Sequence, residues 1–353
     1  MHEDDILVAT VRPNLNAVAM VPHDLHGEIA STGFCILRAN RVVADPRYLF
    51  YQTVSTAFVA TLTSKVRGAN YPAVSDGDVK AVEIPLPPLS EQHRIVEILD
   101  QADCLRRLRA EADAKAGRIL PALFIKMFGD PATNPMGWPE RKIGHVCQVI
   151  SGATPKTNRP EFWGGGIPWA TPKDLSSLHD WVITTTERTI TKEGLASCSA
   201  TMMPKEAVLL SSRAPIGLVA LASVPMCTNQ GFKSLVCLRN VDPWYLFAWC
   251  KLRVAFLQSL GRGATFKEVS KGIVEEIRIP LPAVPEQQAF RRRLEQIRLT
   301  RRNGRRTRCK VTRLFDHLLA LAFSGVLTAA WREAHMKELL QEMEQQAKAL
   351  AEV

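Results

Sequence analysis

A nine-residue stretch occurs twice in this chain, and this repetition is the strongest constraint on the domain organisation. Residues 84–92 read IPLPPLSEQ and residues 279–287 read IPLPAVPEQ, 195 positions later (279 − 84). The same offset relates Arg67-Gly68-Ala69 to Arg262-Gly263-Ala264 and Phe128 to Phe323. Solenoid repeats are about 20–50 residues long. A period near 200 residues therefore indicates a duplicated domain together with its linker.

The two copies differ in length. Asp45-Pro46 in the first copy corresponds to Asp242-Pro243 in the second, and Leu7 corresponds to Leu209. In the second copy a long segment that begins near Trp138 precedes Leu209, whereas Leu7 lies close to Met1. The sequence therefore predicts that the first module is incomplete and lacks roughly its first half.

Short strands and helices are predicted in both modules. An Asp cap followed by Pro is typical of a helix start, which predicts a helix from Asp45-Pro46 to about Leu62. The glycines Gly164, Gly165 and Gly166 are predicted to form a turn between strands. The β-rich runs predict strands at residues 6–10, 16–21, 35–37, 82–84, 143–150 and 207–211.

Two long helices follow the repeated stretch. From Ser90 to Phe128, apolar residues recur three and four positions apart, which indicates a packed helical seam with a kink or break at Pro121. A second long helix is predicted from Pro285, and residues 291–313 within it are dense in Arg and Lys. Residues 336–353 predict a further helix.

The bulk composition favours a polyanionic partner. The chain has 353 residues, a formal net charge of +10 and a pI near 9.3, and such a charge affects association rather than fold. Nucleic acid is the expected partner. The sequence contains no apolar run of 18 residues and no secretory signal, so we expect a cytoplasmic protein without a membrane span.

Motifs for catalysis are missing from the sequence. There is no phosphate-binding G-x-x-x-x-G-K-[ST] loop, no acidic-Pro-Pro-aromatic tetrad and no acidic cluster for a nuclease metal. The run Gly164-Gly165-Gly166 lacks the acidic residue about 20 positions on that dinucleotide sites require. The histidines are scattered and favour surface or core positions. We therefore expect a non-catalytic chain that binds no cofactor or metal itself.

Cationic and amide side chains are concentrated in the irregular segments of both modules. Arg, Lys, Asn and Gln contact base edges, and Arg and Lys also hold phosphates. Each of these residues alone is most simply a solvated surface residue, but the set favours DNA. The candidate DNA-binding residues are Lys156, Asn158, Arg159, Lys173, Arg213, Arg262 and Lys267 in the second module and Arg12 and Arg67 in the first. Further polar candidates beside them are Asn229, Gln230, Lys233, Lys271, Lys65 and Asn70.

The arginine-rich run at residues 291–313 allows two interpretations. It is either a solvated helix face or a surface that contacts phosphates or an acidic partner. The sequence leaves this choice open.

The repeated motifs resemble those of the specificity (S) subunit of Type I restriction-modification systems. The resemblance rests on the two junctions at residues 84–92 and 279–287, on Gly152-Ala153-Thr154-Pro155 and on Thr228-Asn229-Gln230-Gly231-Phe232. It implies an α/β (α+β) protein with two target-recognition domains, the first one incomplete, and two long helices that form an antiparallel coiled coil. The implied segments are a partial domain (1–88), a spacer helix (89–130), a complete domain (131–283), a second spacer helix (284–330) and a helical tail (331–353).

The resemblance also implies a function and partners. The chain would recognise a bipartite sequence in double-stranded DNA and direct adenine methylation and restriction there without being catalytic. Methyltransferase (M) subunits would bring S-adenosylmethionine, and restriction (R) motor-nuclease subunits would bring ATP and Mg. A second S chain or a homodimer could complete the first domain. Two alternatives stay open: a fragment of a single-chain restriction-methylation enzyme, and a protein-binding scaffold.

Overall fold

The computed structural model describes residues 1–68, 71–213, 215–263 and 267–351. The candidate Asn70 and the alanines of the repeated Arg-Gly-Ala tripeptides, Ala69 and Ala264, lie outside the described residues. The chain divides into two compact units. Unit 1 comprises Met1–Glu111 and Arg306–Val353, and unit 2 comprises Ala112–Arg305.

The elements up to residue 128 begin with three short strands and continue as helices. Asp45 caps the first helix as predicted, because its carboxylate accepts hydrogen bonds from the backbone N–H groups of Arg47 (2.8 Å) and Tyr48 (3.0 Å). The elements are β1 (Ile6–Ala9), β2 (Val18–Met20), β3 (Phe34–Leu37), α1 (Pro46–Val54), α2 (Thr56–Ser64), α3 (Asp76–Lys80), α4 (Leu89–Gly117) and α5 (Ile119–Phe128).

The middle of the chain contains most of the strands. They are β4 (Glu140–Lys142), β5 (Cys147–Ser151), β6 (Trp163–Ala170), β7 (Val182–Ile183), β8 (Arg188–Ile190), β9 (Val208–Leu210), β10 (Val219–Ala222), β11 (Cys227–Thr228), β12 (Lys233–Cys237) and β13 (Arg278–Pro280). The helices among and after them are α6 (Ile143–Val146), α7 (Pro172–Ser176), α8 (Lys192–Ala196), α9 (Pro243–Leu252), α10 (Val254–Ser259), α11 (Lys271–Glu276), α12 (Val284–Phe323), α13 (Ala329–Ala334) and α14 (Met336–Ala351).

The sheets of the two units contain the same three-stranded core. Unit 1 has the antiparallel sheet β2-β1-β3, and unit 2 has a five-stranded sheet in the order β5-β12-β9-β10-β7. Strands β10-β9-β12 correspond to β2-β1-β3 in sequence and in order. Unit 2 adds β5 and β7 at the two sides and a separate sheet β11-β6-β8. In the described residues, unit 1 has no counterparts of these added strands.

Each unit packs part of a long helix against its own helical partner. In unit 1, Ile95, Val96, Leu99 and Ala102 of α4 share a buried cluster with Phe315 and other residues of α12. Near the start of α4, Glu91 accepts hydrogen bonds from Thr328 (2.6 Å) and Arg332, whereas farther along α4 Arg106 stacks on Phe315. Residue numbers rise along α4 as they fall along its partner, so the pair is antiparallel.

In unit 2 the aromatic rings of α5 pack on the first turns of α12. The ring of Phe290 lies 5.6 Å from that of Phe124 and 5.2 Å from that of Phe128. Tyr245 of α9 stacks on Phe124 at 5.4 Å. Such ring pairs contribute about 0.5–1.5 kcal/mol beyond the burial of their area. This cluster fixes α5, α9 and the beginning of α12 against one face of the five-stranded sheet.

The repeated junction has a structural role that explains both of its copies. The side-chain oxygen of Gln92 accepts from the backbone N–H of Asp45 at 2.8 Å, and its amide group donates to the carbonyl of Pro87 at 2.7 Å. In unit 2 Gln287 makes the equivalent bonds to Asp242 (2.8 Å) and Pro282 (2.7 Å). Each glutamine thus joins a proline-rich junction by hydrogen bonds to the N-terminus of an earlier helix of its unit, which is α1 for Gln92 and α9 for Gln287.

Three strand or turn predictions are wrong. Residues 82–84 form no strand, although the matching β13 pairs with β4, because unit 1 provides no described partner for them. The predicted strand 143–150 begins as the short helix α6 and becomes a strand only at Cys147. The glycines of residues 164–166 lie inside β6, where the register shifts between Trp163 and Ile167, rather than in a turn.

Two helix predictions need smaller corrections. The predicted helix after Asp45 is two helices, because Ser55 ends α1 and caps α2. The predicted kink at Pro121 lies one turn earlier, where α4 ends at Gly117 and α5 begins at Ile119. A proline ring clashes with the carbonyl four residues before it. The break at this point leaves Pro121 in the first turn of α5, where its missing N–H costs nothing.

Candidate nucleic-acid interface

One edge of the five-stranded sheet in unit 2 gathers most of the sequence-predicted candidates. Ser151 at the end of β5 pairs with Lys233 at the start of β12, and β9 ends beside them at Leu210. Antiparallel pairing therefore brings the loops that leave β5 and β9 to the same edge as the loop that enters β12. We call this surface the polar edge. It consists of residues 151–159, 171–174, 211–213, 228–233, 262–263 and 267–268.

Backbone hydrogen bonds join these loops into one surface. The N–H of Ser212 donates to the carbonyl of Gly231 at 2.7 Å, and the N–H of Val269 donates to the carbonyl of Ser212 at 2.8 Å. The N–H of Asn229 donates to the carbonyl of Ala170 at 3.0 Å. A methyl group placed on Gly152 would lie 1.9 Å from the carbonyl oxygen of Asn229. Only glycine permits this close approach, so the backbone itself holds the loops of the polar edge together.

A carboxylate and two cations form the centre of the polar edge. Glu268 pairs with Arg213 at 2.9 Å and with Lys233 at 3.2 Å. Burial by itself would raise the pKa of Glu268, but the hydrogen bonds from Arg213 and Lys233 outweigh it and the pKa lies below its ordinary value. The Lys233 side chain is only 10% exposed, whereas that of Arg213 is 44% exposed. Glu268 therefore holds a guanidinium at the surface above a buried ammonium.

Two more candidates lie beside this triad. Arg262 and Glu268 exchange backbone hydrogen bonds of 3.0 and 2.9 Å, and the exposed side chains of Arg262 and Lys267 flank the turn. Gln230 is exposed, and its side-chain oxygen accepts a hydrogen bond from Thr154. Sequence reasoning missed Thr154, which lies directly after the glycine and alanine of the loop behind β5.

The remaining candidates of unit 2 are exposed and partly neutralised. Lys173 pairs with Glu187 at 2.8 Å, and this hydrogen bond raises the pKa of the lysine. Arg159 approaches Glu161 at 3.5 Å, and Lys156 and Asn158 are exposed in the same loop. Lys271 pairs with Glu275 within α11 at 3.6 Å. Exposed pairs of this kind contribute about 0–1 kcal/mol, so an incoming phosphate can replace the carboxylate.

The first unit contains the same turn with different chemistry. Arg67 and Ala73 exchange backbone hydrogen bonds of 2.9 and 3.0 Å, and the N–H of Arg12 donates to the carbonyl of Pro72 at 2.8 Å. Arg12 and Arg67 are thus close together, both exposed, with Arg67 facing Asp78 at 3.4 Å. Lys65 ends helix α2 nearby.

The central triad of unit 2 is absent from the matching places of unit 1. The hydrogen bond from Thr10 to Gly33 (2.9 Å) matches that from Ser212 to Gly231, which aligns the two surfaces. At the positions of Arg213, Lys233 and Glu268, unit 1 carries Val11, Cys35 and Ala73. The two edges therefore present different groups on a common backbone.

The described residues contain no group of three or more His, Cys, Asp or Glu side chains that could hold a metal ion. Within the same part of the chain, no helix combines the length and the apolar character that crossing a membrane would need. The eight cysteines form no disulfide.

Comparison with known proteins identifies the family. The family model of the Type I restriction modification DNA specificity domain matches residues 2–112 and 135–306. These two segments cover most of the chain, which therefore belongs to this family. The two matched segments also agree with the duplication seen in the sequence.

Named relatives and a solved structure support this assignment. The chain is 40% identical over 156 residues to the MjaIX specificity subunit of Methanocaldococcus jannaschii, a match covering 44% of this chain and 36% of the relative. It is 27% identical over 292 residues to the MjaX specificity subunit of the same organism, covering 77% and 65%. This chain thus spans less than two thirds of the length of either relative.

The solved structure comes from work on the assembly and conformational transition of the type I R-M system. It covers 93% of this chain and 83% of its own length with 31% identity and a TM-score of 0.60. The expected fold class, a mixed α/β protein with two recognition modules and long antiparallel helices, is thereby confirmed.

Proposed function

We propose that this chain is the sequence-reading subunit of a Type I restriction-modification complex and directs adenine methylation and restriction to a bipartite DNA target. In this proposal residues 131–283 form the complete target-recognition domain, residues 1–88 form a partial one, and residues 89–130 and 284–330 are the spacer helices, with a tail at 331–353. The observation that carries the proposal is the polar edge. Candidate DNA-binding residues that are far apart in the sequence lie on one surface there. The family model that matches the chain describes a DNA specificity domain.

The polar edge offers the groups that read base edges. Arg213 has a guanidinium held on one side by Glu268, so its orientation is fixed before DNA arrives. An arginine of this kind can donate two parallel hydrogen bonds to guanine, and an amide such as Gln230 can pair with adenine. Each good bidentate contact discriminates by about 1–3 kcal/mol against the wrong base. In this proposal Lys156, Asn158, Arg159, Lys173, Arg262 and Lys267 position the backbone or extend the readout, and Arg12 and Arg67 do so in the first unit.

Catalysis belongs to the partners in this proposal. Two M subunits carry S-adenosylmethionine and flip the target adenine, and R subunits use ATP and Mg for translocation and cleavage. The chain itself binds no cofactor and works in the cytoplasm, where its DNA substrate lies. A second S chain is a further partner in this proposal.

The test is to co-express the full chain with an M partner and to sequence the methylated adenines on genomic DNA. The proposal predicts a defined target sequence, bipartite if the first module reads and palindromic if two complete halves pair. A double variant Lys156→Ala/Arg213→Ala should lose or relax that sequence. The matched control Lys205→Ala/Arg239→Ala removes two exposed cations from loops at the opposite ends of β9 and β12 and should leave it intact.

Two results would contradict the proposal. Methylation by the chain without any M partner would favour a fragment of a single-chain enzyme. A target that the Lys156→Ala/Arg213→Ala variant leaves unchanged would remove the polar edge as the reading surface. Both variants should keep the circular dichroism and thermal unfolding of the wild type, because the changed side chains are exposed or half-exposed.

A further inference from the structure

The arginine-rich run in α12 has a defined structure on the side that faces the sheet of unit 2. Arg298, Arg301, Arg302 and Arg305 line a recess together with residues 179–181. Their spacing of three and four places them on one helix face, and the row from 298 to 305 extends about 10 Å at 1.5 Å per residue. We call this site the arginine recess. Its volume of about 70 Å³ is far less than the roughly 300–1,000 Å³ of a small-molecule pocket.

The positive charges of the arginine recess exceed its negative charges. Arg298 is matched by Asp180, because its Nε lies 2.9 Å from Oδ1 and its Nη2 lies 2.7 Å from Oδ2. Arg301 stacks on the Trp181 ring at 4.8 Å, a contact that leaves its charge in place. Among the residues that line the recess, Asp180 is the only carboxylate, and it faces four guanidinium groups.

The half-buried Arg301 is close enough to Arg305 for their charges to repel each other. Burial and the neighbouring Arg305 lower the pKa of Arg301, although Asp180 and Asp113 act in the opposite direction. Arg302 is exposed and Arg305 is half-buried, and both line the recess. A second anion placed there would stabilise the charged form of this row.

The row of arginines fits a repeating anion better than a single one. A single side-chain carboxylate would neutralise one more arginine, as Asp180 already neutralises Arg298. Duplex DNA carries one negative charge per about 1.7 Å of helix axis, so a 10 Å row faces several phosphates. The planar guanidinium fork also matches phosphate geometry. From this we infer that Arg302 and Arg305 at the arginine recess grip the sugar-phosphate backbone of duplex DNA without reading its sequence. The inference rests on the proposed DNA recognition and adds a second contact away from the polar edge.

The experiment measures duplex binding by the full chain as a function of salt. Each phosphate contact contributes about 0.9 to the slope of log affinity against log salt concentration. The variant Arg302→Gln/Arg305→Gln should lower that slope by about 1.8 on target and on unrelated duplexes alike. From about 50 to 200 mM salt, the wild type should then weaken about 12-fold more than the variant. The control Lys205→Gln/Arg239→Gln should keep the wild-type slope.

The outcomes separate this inference from the proposed function. Wild-type binding with an unchanged slope in Arg302→Gln/Arg305→Gln would overturn the inference and leave sequence recognition standing. Loss of assembly with the M partner at an unchanged slope would assign the recess to an acidic protein surface instead and overturn it too. A wild-type chain that binds no duplex, alone or with its M partner, would overturn both. A slope that falls only on the target duplex would also contradict it, because phosphate contacts are independent of sequence.

Discussion

Gln287 offers the sharpest test of how the repeated junction stabilises each unit. Its side chain is fully buried and makes three hydrogen bonds, to the N–H of Asp242 (2.8 Å) and to the carbonyls of Pro282 (2.7 Å) and Asn240 (3.2 Å). In Gln287→Ala the Asp242 N–H and the Pro282 carbonyl stay buried without a partner. Each such group costs about 1–3 kcal/mol. We therefore expect the variant to lose about 4 kcal/mol, a large part of a typical stability of about 5–15 kcal/mol.

Urea unfolding followed by tryptophan fluorescence can measure this loss in unit 2. Six of the seven tryptophans lie in unit 2, and Trp331 lies in unit 1, so fluorescence reports mainly on the unit that contains Gln287. The matching variant Gln92→Ala should shift the far-ultraviolet transition of unit 1 and change the fluorescence much less. Gln148→Ala, at an exposed position on β5, is the control and should change stability by less than about 0.5 kcal/mol. A loss below about 1 kcal/mol in Gln287→Ala would refute the role given to the junction.

Three further predictions concern the polar edge. Glu268→Ala leaves the buried Lys233 ammonium without its carboxylate and should destabilise unit 2 in chemical denaturation by up to about 3 kcal/mol. The triple change Arg213→Val/Lys233→Cys/Glu268→Ala introduces the residues of unit 1 and should recover most of that lost stability. The triple variant should still bind the target at least tenfold more weakly in a filter-binding titration. Because the folded pKa of Glu268 lies below its ordinary 4.5, its contribution to stability is present above about pH 4.5 and is lost as the pH falls through the folded value. The free energy of unfolding, measured from pH 6 to 3, should therefore fall less steeply with pH in Glu268→Gln than in the wild type. Equal slopes in the two proteins would exclude the triad as a source of stability. Gly152→Ala places a methyl group against the Asn229 carbonyl and should lower the melting temperature by several degrees, whereas the control Gly166→Ala, with open space around it, should not.

Repetition made the larger features predictable from sequence. The Asp45 and Asp242 caps and the matching strands β1 and β9 follow from local chemistry that occurs twice, whereas the fold class came from the resemblance to the family. The failures occurred where a distant partner decides the structure. Residues 82–84 have the composition of a strand, as β13 does, yet they form none without a counterpart of β4. The glycines of β6 resemble a turn locally but pair with β8 across a bulge.

The candidate site was predicted only in part, because its central contacts also join residues that are far apart in the sequence. Arg213 was identified by type and by its position after a strand, but the other two members of the triad, Lys233 and Glu268, lie 20 and 55 positions farther along the chain, and no local pattern joins the three. A usable signal did exist in the alignment of the two copies. Three charged residues of the second copy, Arg213, Lys233 and Glu268, stand opposite uncharged residues in the first. Positions that differ in this way on a shared backbone are where two copies of one domain can acquire different targets.

That difference bears on what a bipartite target would look like. The backbone hydrogen bonds of the turn at Arg67 and of the turn at Arg262 are nearly identical, so both units can present side chains in the same geometry. Among the described residues, Arg213 of unit 2 is held by Glu268 at the centre of that surface, and unit 1 has the apolar Val11 and Ala73 at these two positions. Guanine is read by bidentate donors and the thymine methyl group by apolar contact. If the chain reads a bipartite target, as proposed, these different side chains on a shared backbone predict two half-sites that differ in sequence.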